Sequence, residues 1–266
     1  MIVTRFAPSP TGLLHLGHAF AALTAREAGD NFLLRLEDLD RGRSRDAFIE
    51  AIYRDLKWLG LSWGEPALRQ SRRDAAYAEA LAQLTRMGLT YPCFCTRKDI
   101  ADEFARAGEA QHGPDGPIYP GTCRHLKDAP SGKPHVLRLD AQKAAALAAP
   151  LSFCEHGKNH AVLPLRFGDI VLARKDLPAA YHLAVVVDDA FQNVTLVTRG
   201  EDLRDATHVQ RLLQALLQLP EPDYAHHRLI LDDSGKKFSK RDNAVTLEAL
   251  RQAGATLSDV YARLGL

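Results

Sequence analysis

The sequence predicts an α/β fold built on a parallel sheet, and three observations predict it. Residues 2–36 read as strand, loop, helix and strand, a βαβ unit that implies parallel pairing with a right-handed crossover. His182–Val187 is an almost wholly apolar run of the kind carried by central parallel strands. Short strand-like segments at Asp169–Ala173 and Val194–Thr198 precede a helical pattern from about Asp205 to Leu219.

Taken in order, Ile2–Phe6 is a short apolar segment that ends at Ala7-Pro8-Ser9-Pro10-Thr11-Gly12. Two prolines and a glycine continue neither strand nor helix, so this is a loop. Leu16, Phe20 and Leu23 have helical spacing, and Gly29 closes the helix. Phe32-Leu33-Leu34 is a buried strand with Glu37-Asp38-Leu39-Asp40 at its C-terminal end. Ser44 is placed to cap a helix whose apolar face is Phe48, Ile49, Ile52, Tyr53 and Leu56. Ser71 is placed to begin another, with Tyr77, Leu81 and Leu84, stopped by Gly88. After Tyr91 the texture changes. Residues 91–164 hold all four cysteines and Gly/Pro-rich stretches such as Gly113-Pro114-Asp115-Gly116-Pro117, which read as an insertion between two halves of the sheet. Asp188-Asp189 ends the strand at His182–Val187, a position where α/β proteins bind ligands.

Composition narrows the function classes. The 266 residues carry 34 Lys+Arg against 33 Asp+Glu, with 46% hydrophobic and 25% charged residues. That balance excludes a disordered chain and a highly basic nucleic-acid wrapper. No apolar run approaches the ~20 residues of a membrane span. Met1 leads into a strand-like segment rather than a signal peptide. Cys93, Cys95, Cys123 and Cys154 are too few for a disulfide scaffold, so a cytoplasmic protein is expected, as a monomer without membrane partners.

Two motifs carry chemistry. Arg5-Phe6-Ala7-Pro8-Ser9-Pro10-Thr11-Gly12-Leu13-Leu14-His15-Leu16-Gly17-His18 is a strand end, a rigid loop and a helix N-terminus bearing two imidazoles. A helix N-terminus favours phosphate, Gly17 lets a flat ligand approach the backbone, and His15 and His18 share one side of the first turn. Two surface histidines beside a cap would look the same. Lys236-Lys237-Phe238-Ser239-Lys240-Arg241 places four cations in six residues. It reads either as a solvated face or as a loop that closes on a leaving pyrophosphate.

His15-Leu16-Gly17-His18 and Lys237-Phe238-Ser239-Lys240-Arg241 together resemble the two signature motifs of class I aminoacyl-tRNA synthetases. With Arg5–Gly12, Arg35-Leu36-Glu37-Asp38, Leu183–Asp189 and Arg199-Gly200-Glu201-Asp202-Leu203, the order resembles the catalytic core of glutamyl-tRNA synthetase. The resemblance implies a Rossmann-like parallel sheet with a metal-bearing insertion and a short C-terminal helical segment. The two Rossmann halves would be 1–90 and 165–224, the insertion 91–164, and the lysine loop and C-terminal helices 225–266. Only 25 residues follow Arg241, too few for an anticodon-reading domain. That pattern is similar to the glutamyl-queuosine tRNA(Asp) synthetase family, which implies activation of L-glutamate with Mg-ATP without tRNA. Glutamate would then pass to the queuosine base in the anticodon of tRNA(Asp).

By the same resemblance His15, His18, Lys237 and Lys240 are catalytic, and His15, Gly17, His18 and Lys240 bind ATP. Arg5, Phe6, Ala7, Pro8, Ser9, Glu37, Tyr181 and Arg199 bind glutamate. The residue chemistry agrees: two carboxylates need two guanidinium forks, an ammonium needs a carboxylate, and a phenol can donate to a carboxylate oxygen. An ordinary surface ion pair would use the same residue types. Cys93-Phe94-Cys95 with Cys123 supplies three thiolates suited to one structural zinc, and the resemblance adds Tyr119 as the fourth ligand. Cys154, His156 and His160 are a rival set. Three other functions stay open at this point: charging of tRNA(Glu), a non-catalytic synthetase paralogue, and a nucleotidyltransferase of the same wider fold.

Overall fold

The structure, a computed structural model, describes residues 1–107, 111–126, 130, 132–148, 150–231 and 245–266. In chain order its elements begin with β1 (Val3–Phe6), α1 (Leu16–Glu27), β2 (Asn31–Leu36), α2 (Asp46–Trp58), β3 (Leu68–Arg69), α3 (Asp74–Arg86) and β4 (Thr90–Cys93). They continue with α4 (Arg97–Ala107), β5 (His112–Gly113), β6 (Gly116–Pro117), β7 (Val136–Leu139), α5 (Ala141–Ala148), β8 (Ser152–Glu155) and β9 (Lys158–Ala161). The last are β10 (Val171–Ala173), α6 (Tyr181–Phe191), β11 (Leu196–Gly200), α7 (Ala206–Leu216), β12 (Asp223–His227), α8 (Leu247–Gln252) and α9 (Leu257–Leu264). They form two compact units, one of Met1–Arg72, Val194–Arg204 and Pro222–Leu266, the other of Arg73–Asn193 and Asp205–Glu221.

The first unit contains the expected βαβ start. β1 pairs in parallel with β2, Arg5 opposite Leu33, and β2 pairs in parallel with β3. β11 and β12 are also parallel, with Arg199 opposite His226. Reciprocal bonds tie β1 to the chain entering β11: Thr195 N–H donates to Val3 O at 3.0 Å, and Val3 N–H to Thr195 Oγ1 at 2.9 Å. The hydroxyl of Thr4 donates to Ala25 O in the last turn of α1 at 2.6 Å. A Cβ at Gly29 would sit 2.6 Å from the Thr4 hydroxyl oxygen, so the turn out of α1 requires glycine. Phe6, Leu14, Phe20, Leu34, Ile52 and Leu56 form the core, closed from the C-terminal side by Leu247, Val260 and Leu264.

In the second unit β4, β7 and β10 form an antiparallel sheet, Thr90 opposite Leu139 and Val171 opposite Arg138. The strand expected at Asp169–Ala173 therefore exists at its C-terminal end, but it does not continue a parallel sheet. The run His182–Val187 is not a strand either. It lies inside α6, which is buried on most of its circumference at Leu183, Ala184, Val185, Val186, Asp188 and Asp189. A helix buried on most of its circumference has little polar face, so its sequence loses the 3.6-residue signature. Asp188 and Asp189 accordingly stand on a helix rather than at a strand end.

Two helix starts also differ from expectation. α2 begins at Asp46 after Arg45, so Ser44 makes no cap. Ser71 lies in a 3-10 turn, Gln70–Arg72, and α3 begins at Asp74. The Ser71 hydroxyl is used elsewhere: with Ser71 N–H it donates to the buried Asp38 carboxylate, both bonds at 2.7 Å, beside Arg69 Nε at 2.8 Å. Asp38 thereby fastens the exit of β2 to the chain after β3. In the second unit, Ile118 is pressed between two glycines. A Cβ at Gly168, where φ is +60°, would stand 2.4 Å from Ile118 Cγ2, and one at Gly113 would stand 2.7 Å from Arg166 O and 3.2 Å from Ile118 Cγ1.

Candidate active site

Within the first unit, several sequence-assigned residues gather at strand ends. Arg5 is the penultimate residue of β1, Ala7, Pro8 and Ser9 form the loop behind Phe6, Glu37 follows β2, and Arg199 is penultimate in β11. The two loops are joined, since Glu37 N–H donates to Pro8 O at 3.1 Å. Open α/β sheets bind ligands beyond the carboxyl ends of their parallel strands, which is this edge. Arg5 and Arg199 are both buried, 5% and 6% exposed, which for arginine demands built partners. Arg5 Nη1 donates to Thr198 O at 3.2 Å, and Arg199 Nε donates to His226 Nε2 at 3.1 Å. Each guanidinium is thus held in a set plane by a neighbouring strand, the condition for fork-like recognition of carboxylate.

The imidazole pair sits at the start of α1. His15, buried, is the N-cap residue, and its N–H donates to His18 Nδ1 at 3.1 Å. A neutral His18 that accepts at Nδ1 carries its proton on Nε2. The rings lie 3.8 Å apart between centroids. A Cβ at Gly17 would stand 3.1 Å from His15 Cε1 and 3.2 Å from its Nδ1, so the missing side chain makes room for the His15 ring.

Lys236, Lys237, Lys240 and Arg241 lie outside the described residues. The chain that follows them is anchored on the histidine motif: Leu247 N–H donates to Leu14 O at 2.8 Å, and Thr246 forms a β-bridge with His15. Tyr181 belongs to the second unit, at the first position of α6. On the same helix the buried Asp188 carboxylate accepts from Arg73 Nε at 2.6 Å and Tyr77 Oη at 2.7 Å, which fastens α6 to α3.

The second unit also holds a sulfur cluster. The Sγ atoms of Cys93, Cys95 and Cys123 lie within 4.8 Å of one another, the one such metal-capable group among the described residues. The Tyr119 hydroxyl is 3.3 Å from Cys93 Sγ and 3.4 Å from Cys95 Sγ, and accepts from Cys123 N–H at 3.0 Å. Burial pushes the Cys95 thiol up to about 11 and raises the Tyr119 phenol. Burial also opposes ionisation of Cys123, but hydrogen bonds from the Phe94 backbone and Tyr119 outweigh it and bring that thiol below its ordinary value. Three convergent soft donors and an adjacent oxygen fit a tetrahedral metal. Cys154, His156 and His160 do not converge in this way. Phe153 pairs with His160 across β8 and β9, so Cys154 projects from the opposite sheet face. His160 instead stacks on Phe153 at 5.3 Å.

Sequence reasoning missed two sets of residues. Asp38 stood in a quoted motif, but its partners Arg69 and Ser71 are more than thirty positions away. Phe167, Arg174 and His182 line a cavity with Tyr181, and no linear pattern joins them.

The family described as tRNA synthetases class I (E and Q), catalytic domain, matches residues 1–262. A glutamyl-Q tRNA(Asp) synthetase of Rhodobacter capsulatus is 46% identical, with 100% of both chains covered. One of Nocardia farcinica is 43% identical over 98% of this chain and 82% of its own. Among solved structures, glutamate-tRNA synthetase of Elizabethkingia anophelis superposes with a TM-score of 0.72 at 29% identity. That match covers 91% of this chain and 53% of the solved one, so the chain spans about half the length of that structural relative.

Proposed function

Since the chain belongs to the class I tRNA synthetase family for glutamate and glutamine, with its α/β catalytic fold, we propose that it activates glutamate with ATP and transfers it to the queuosine base of tRNA(Asp). The observation that carries this reading is the pair of buried guanidiniums, Arg5 and Arg199, fixed at strand ends beside Glu37 in a chain whose full-length relatives carry that name.

In activation, an α-carboxylate oxygen of glutamate attacks the α-phosphorus of ATP. The bond to the bridging oxygen breaks, and pyrophosphate departs. Negative charge gathers on the phosphates, so fixed donors and cations lower the barrier. His15 and His18 at the α1 N-terminus, with Gly17, serve the nucleotide, and Lys237 and Lys240 serve the leaving pyrophosphate. Arg5 and Arg199 hold the two carboxylates, Glu37 the ammonium, Tyr181 a carboxylate oxygen, and the backbone of Phe6 to Ser9 shapes the pocket. In transfer, a hydroxyl of the acceptor attacks the activated carbonyl, and AMP leaves. Magnesium accompanies ATP as part of the substrate. The Cys93, Cys95, Tyr119 and Cys123 cluster is read as one zinc site; a bound zinc there would cross-link β4 to the chain near residue 120 and perform no step of the reaction.

The test is glutamate-dependent pyrophosphate exchange without RNA, followed by glutamate transfer to tRNA(Asp) with and without queuosine and to tRNA(Glu). The expected result is exchange without RNA and labelling only of queuosine-bearing tRNA(Asp). Labelling of tRNA(Glu) alone overturns the reading.

A further inference from the structure

The second unit encloses a cavity of about 340 Å³ that the functions above do not use in full. Its walls come from the β5–β6 turn, the segment from Phe167 to Val171, Arg138 on β7 and the first turn of α6. The His182 ring meets Phe167 and Tyr181 edge-on, at centroid distances of 5.5 and 5.2 Å. Arg138 and Arg174 bring two guanidiniums. The first donates to Asp169 O at 2.7 Å and lies 3.9 Å over the Tyr119 ring; the second is exposed. Asp115 stands exposed with its carboxylate 3.8 Å from His182 Nε2.

Two polar atoms here are buried with no hydrogen-bond partner among the described residues, His182 Nδ1 and Arg138 Nε. Buried groups left in that condition are destabilising unless something reaches them. The N-terminus of α6 faces the same space through Ala180, Tyr181 and His182, and adds partial positive charge. Ile118, wedged between Gly113 and Gly168, keeps one wall rigid.

Aromatic rings, two guanidiniums, a helix N-terminus and a carboxylate at an exposed edge match the parts of one nucleotide. The rings offer a surface to its base, the cations offer donors to phosphate or carbonyl oxygens, and Asp115 accepts from hydroxyls. The volume lies at the small end of ligand pockets, about 300–1,000 Å³, which suits one nucleoside and not a length of strand. An enzyme that acts on a base must first take it out of its stack. Unstacked bases of RNA loops bind on aromatic faces and guanidinium planes. We propose that this cavity receives one nucleotide of the acceptor RNA, turned out of its loop, with Phe167, His182 and Arg174 as the residues that hold it. The inference rests on the reading that the acceptor is a base within an RNA loop.

The test uses the full chain and the variants Phe167→Ala, Phe167→Tyr and Arg174→Ala. Pyrophosphate exchange without RNA should stay within about twofold in all three, which also reports folding. Transfer to queuosine-bearing tRNA(Asp) should lose about tenfold or more in kcat/KM in Phe167→Ala, in keeping with the usual effect of a lost base–aromatic stack, and recover in Phe167→Tyr. Arg174→Ala should raise the KM for the RNA about three- to tenfold, since it removes a cation facing the nucleotide. Should Phe167→Ala also lose exchange, Arg174→Ala, an exposed position, decides alone. Transfer within twofold of the parent in every variant that retains exchange overturns the proposal. If the parent labels tRNA(Glu) instead, the acceptor reading fails while the same comparison on that RNA still judges the cavity. A parent that exchanges but labels no RNA overturns both.

Discussion

Asp188 offers a direct test of whether α6 supports the site or enters it. Its carboxylate is fully buried and joins Arg73, at 2.6 Å, to Tyr77, at 2.7 Å. A hydrogen bond to a charged group contributes about 1.5–3 kcal/mol, and removing one partner of a buried pair costs about 3–5 kcal/mol. The Arg73 side chain keeps 13% of its surface in water, so the lower part of that range applies to Asp188→Ala, about 3 kcal/mol. Asp188→Asn retains an acceptor for Tyr77 and loses the charge, so it should cost about 1.5–2 kcal/mol. Tyr77→Phe should cost about 1 kcal/mol. For a unit of this size, each kcal/mol moves the thermal midpoint by about 2–4 °C, so Asp188→Ala should melt about 6–12 °C lower. Differential scanning calorimetry gives the midpoints, and pyrophosphate exchange well below them gives the KM for glutamate. The ranking Ala, Asn, then Tyr77→Phe with an unchanged KM is expected. An Asp188→Asn variant that melts with the parent but shows a several-fold higher KM would refute the reasoning and put this carboxylate in the glutamate pocket.

Gly17→Ala should keep or raise stability, by up to about 1 kcal/mol from helix propensity, yet slow pyrophosphate exchange, because its Cβ would crowd the His15 ring at 3.1 Å; an unchanged exchange rate refutes this. Asp55, buried beneath α8 with Arg251 3.8 Å away, has its pKa raised by burial to about 6 from 3.8, with Arg251 pulling the other way. Its contribution is therefore full below about pH 4 and lost as pH rises through about 6, so Asp55→Asn should be more stable by up to about 3 kcal/mol at neutral pH and level with the parent near pH 4 in urea titrations. Cys123→Ser should lower the metal content measured by plasma emission spectrometry and the melting midpoint together, whereas Cys154→Ser should change neither; zinc lost only from the second would move the site to the rival residues. Arg199→Lys keeps the charge but gives up the planar fork, so the KM for glutamate should rise about tenfold with little change in midpoint, as read by exchange kinetics.

What the chain reveals in linear form depends on how local the cause is. β1, α1 and β2 were legible because each carries its own pattern, an apolar strand, a helical stripe and a Pro/Gly loop between them. The histidine motif was legible for the same reason, its two rings being three residues apart on one turn. α6 was not: burial of most of its circumference removed the polar face that would have distinguished it from a strand. Ser71 misled because its hydroxyl serves Asp38, thirty-three positions away, in place of a local cap. Cys93, Cys95 and Cys123 announced a metal-capable cluster by spacing and residue type. Tyr119 followed only from family resemblance, although the structure places its hydroxyl against two of the sulfurs. The cavity beside His182 had no linear trace, since five separate segments supply its walls.

The seat of Ile118 makes three positions evolve as one. Gly113 and Gly168 come from different loops, yet the same isoleucine stands against both: it forbids a side chain at 168 and crowds one at 113, where the Arg166 carbonyl is the closer obstacle. A larger residue at 113 becomes tolerable on that side only after residue 118 has shrunk, while Arg166 O still opposes it from the other. At 168 a smaller partner relieves the contact but not the left-handed backbone, so there the compensation is partial. Substitutions at these sites should therefore show epistasis, Ile118→Ala softening the penalty of Gly168→Ala more than that of Gly113→Ala, where the Arg166 carbonyl 2.7 Å away remains. The order in which such changes accumulate is constrained at 168, where residue 118 has to shrink first.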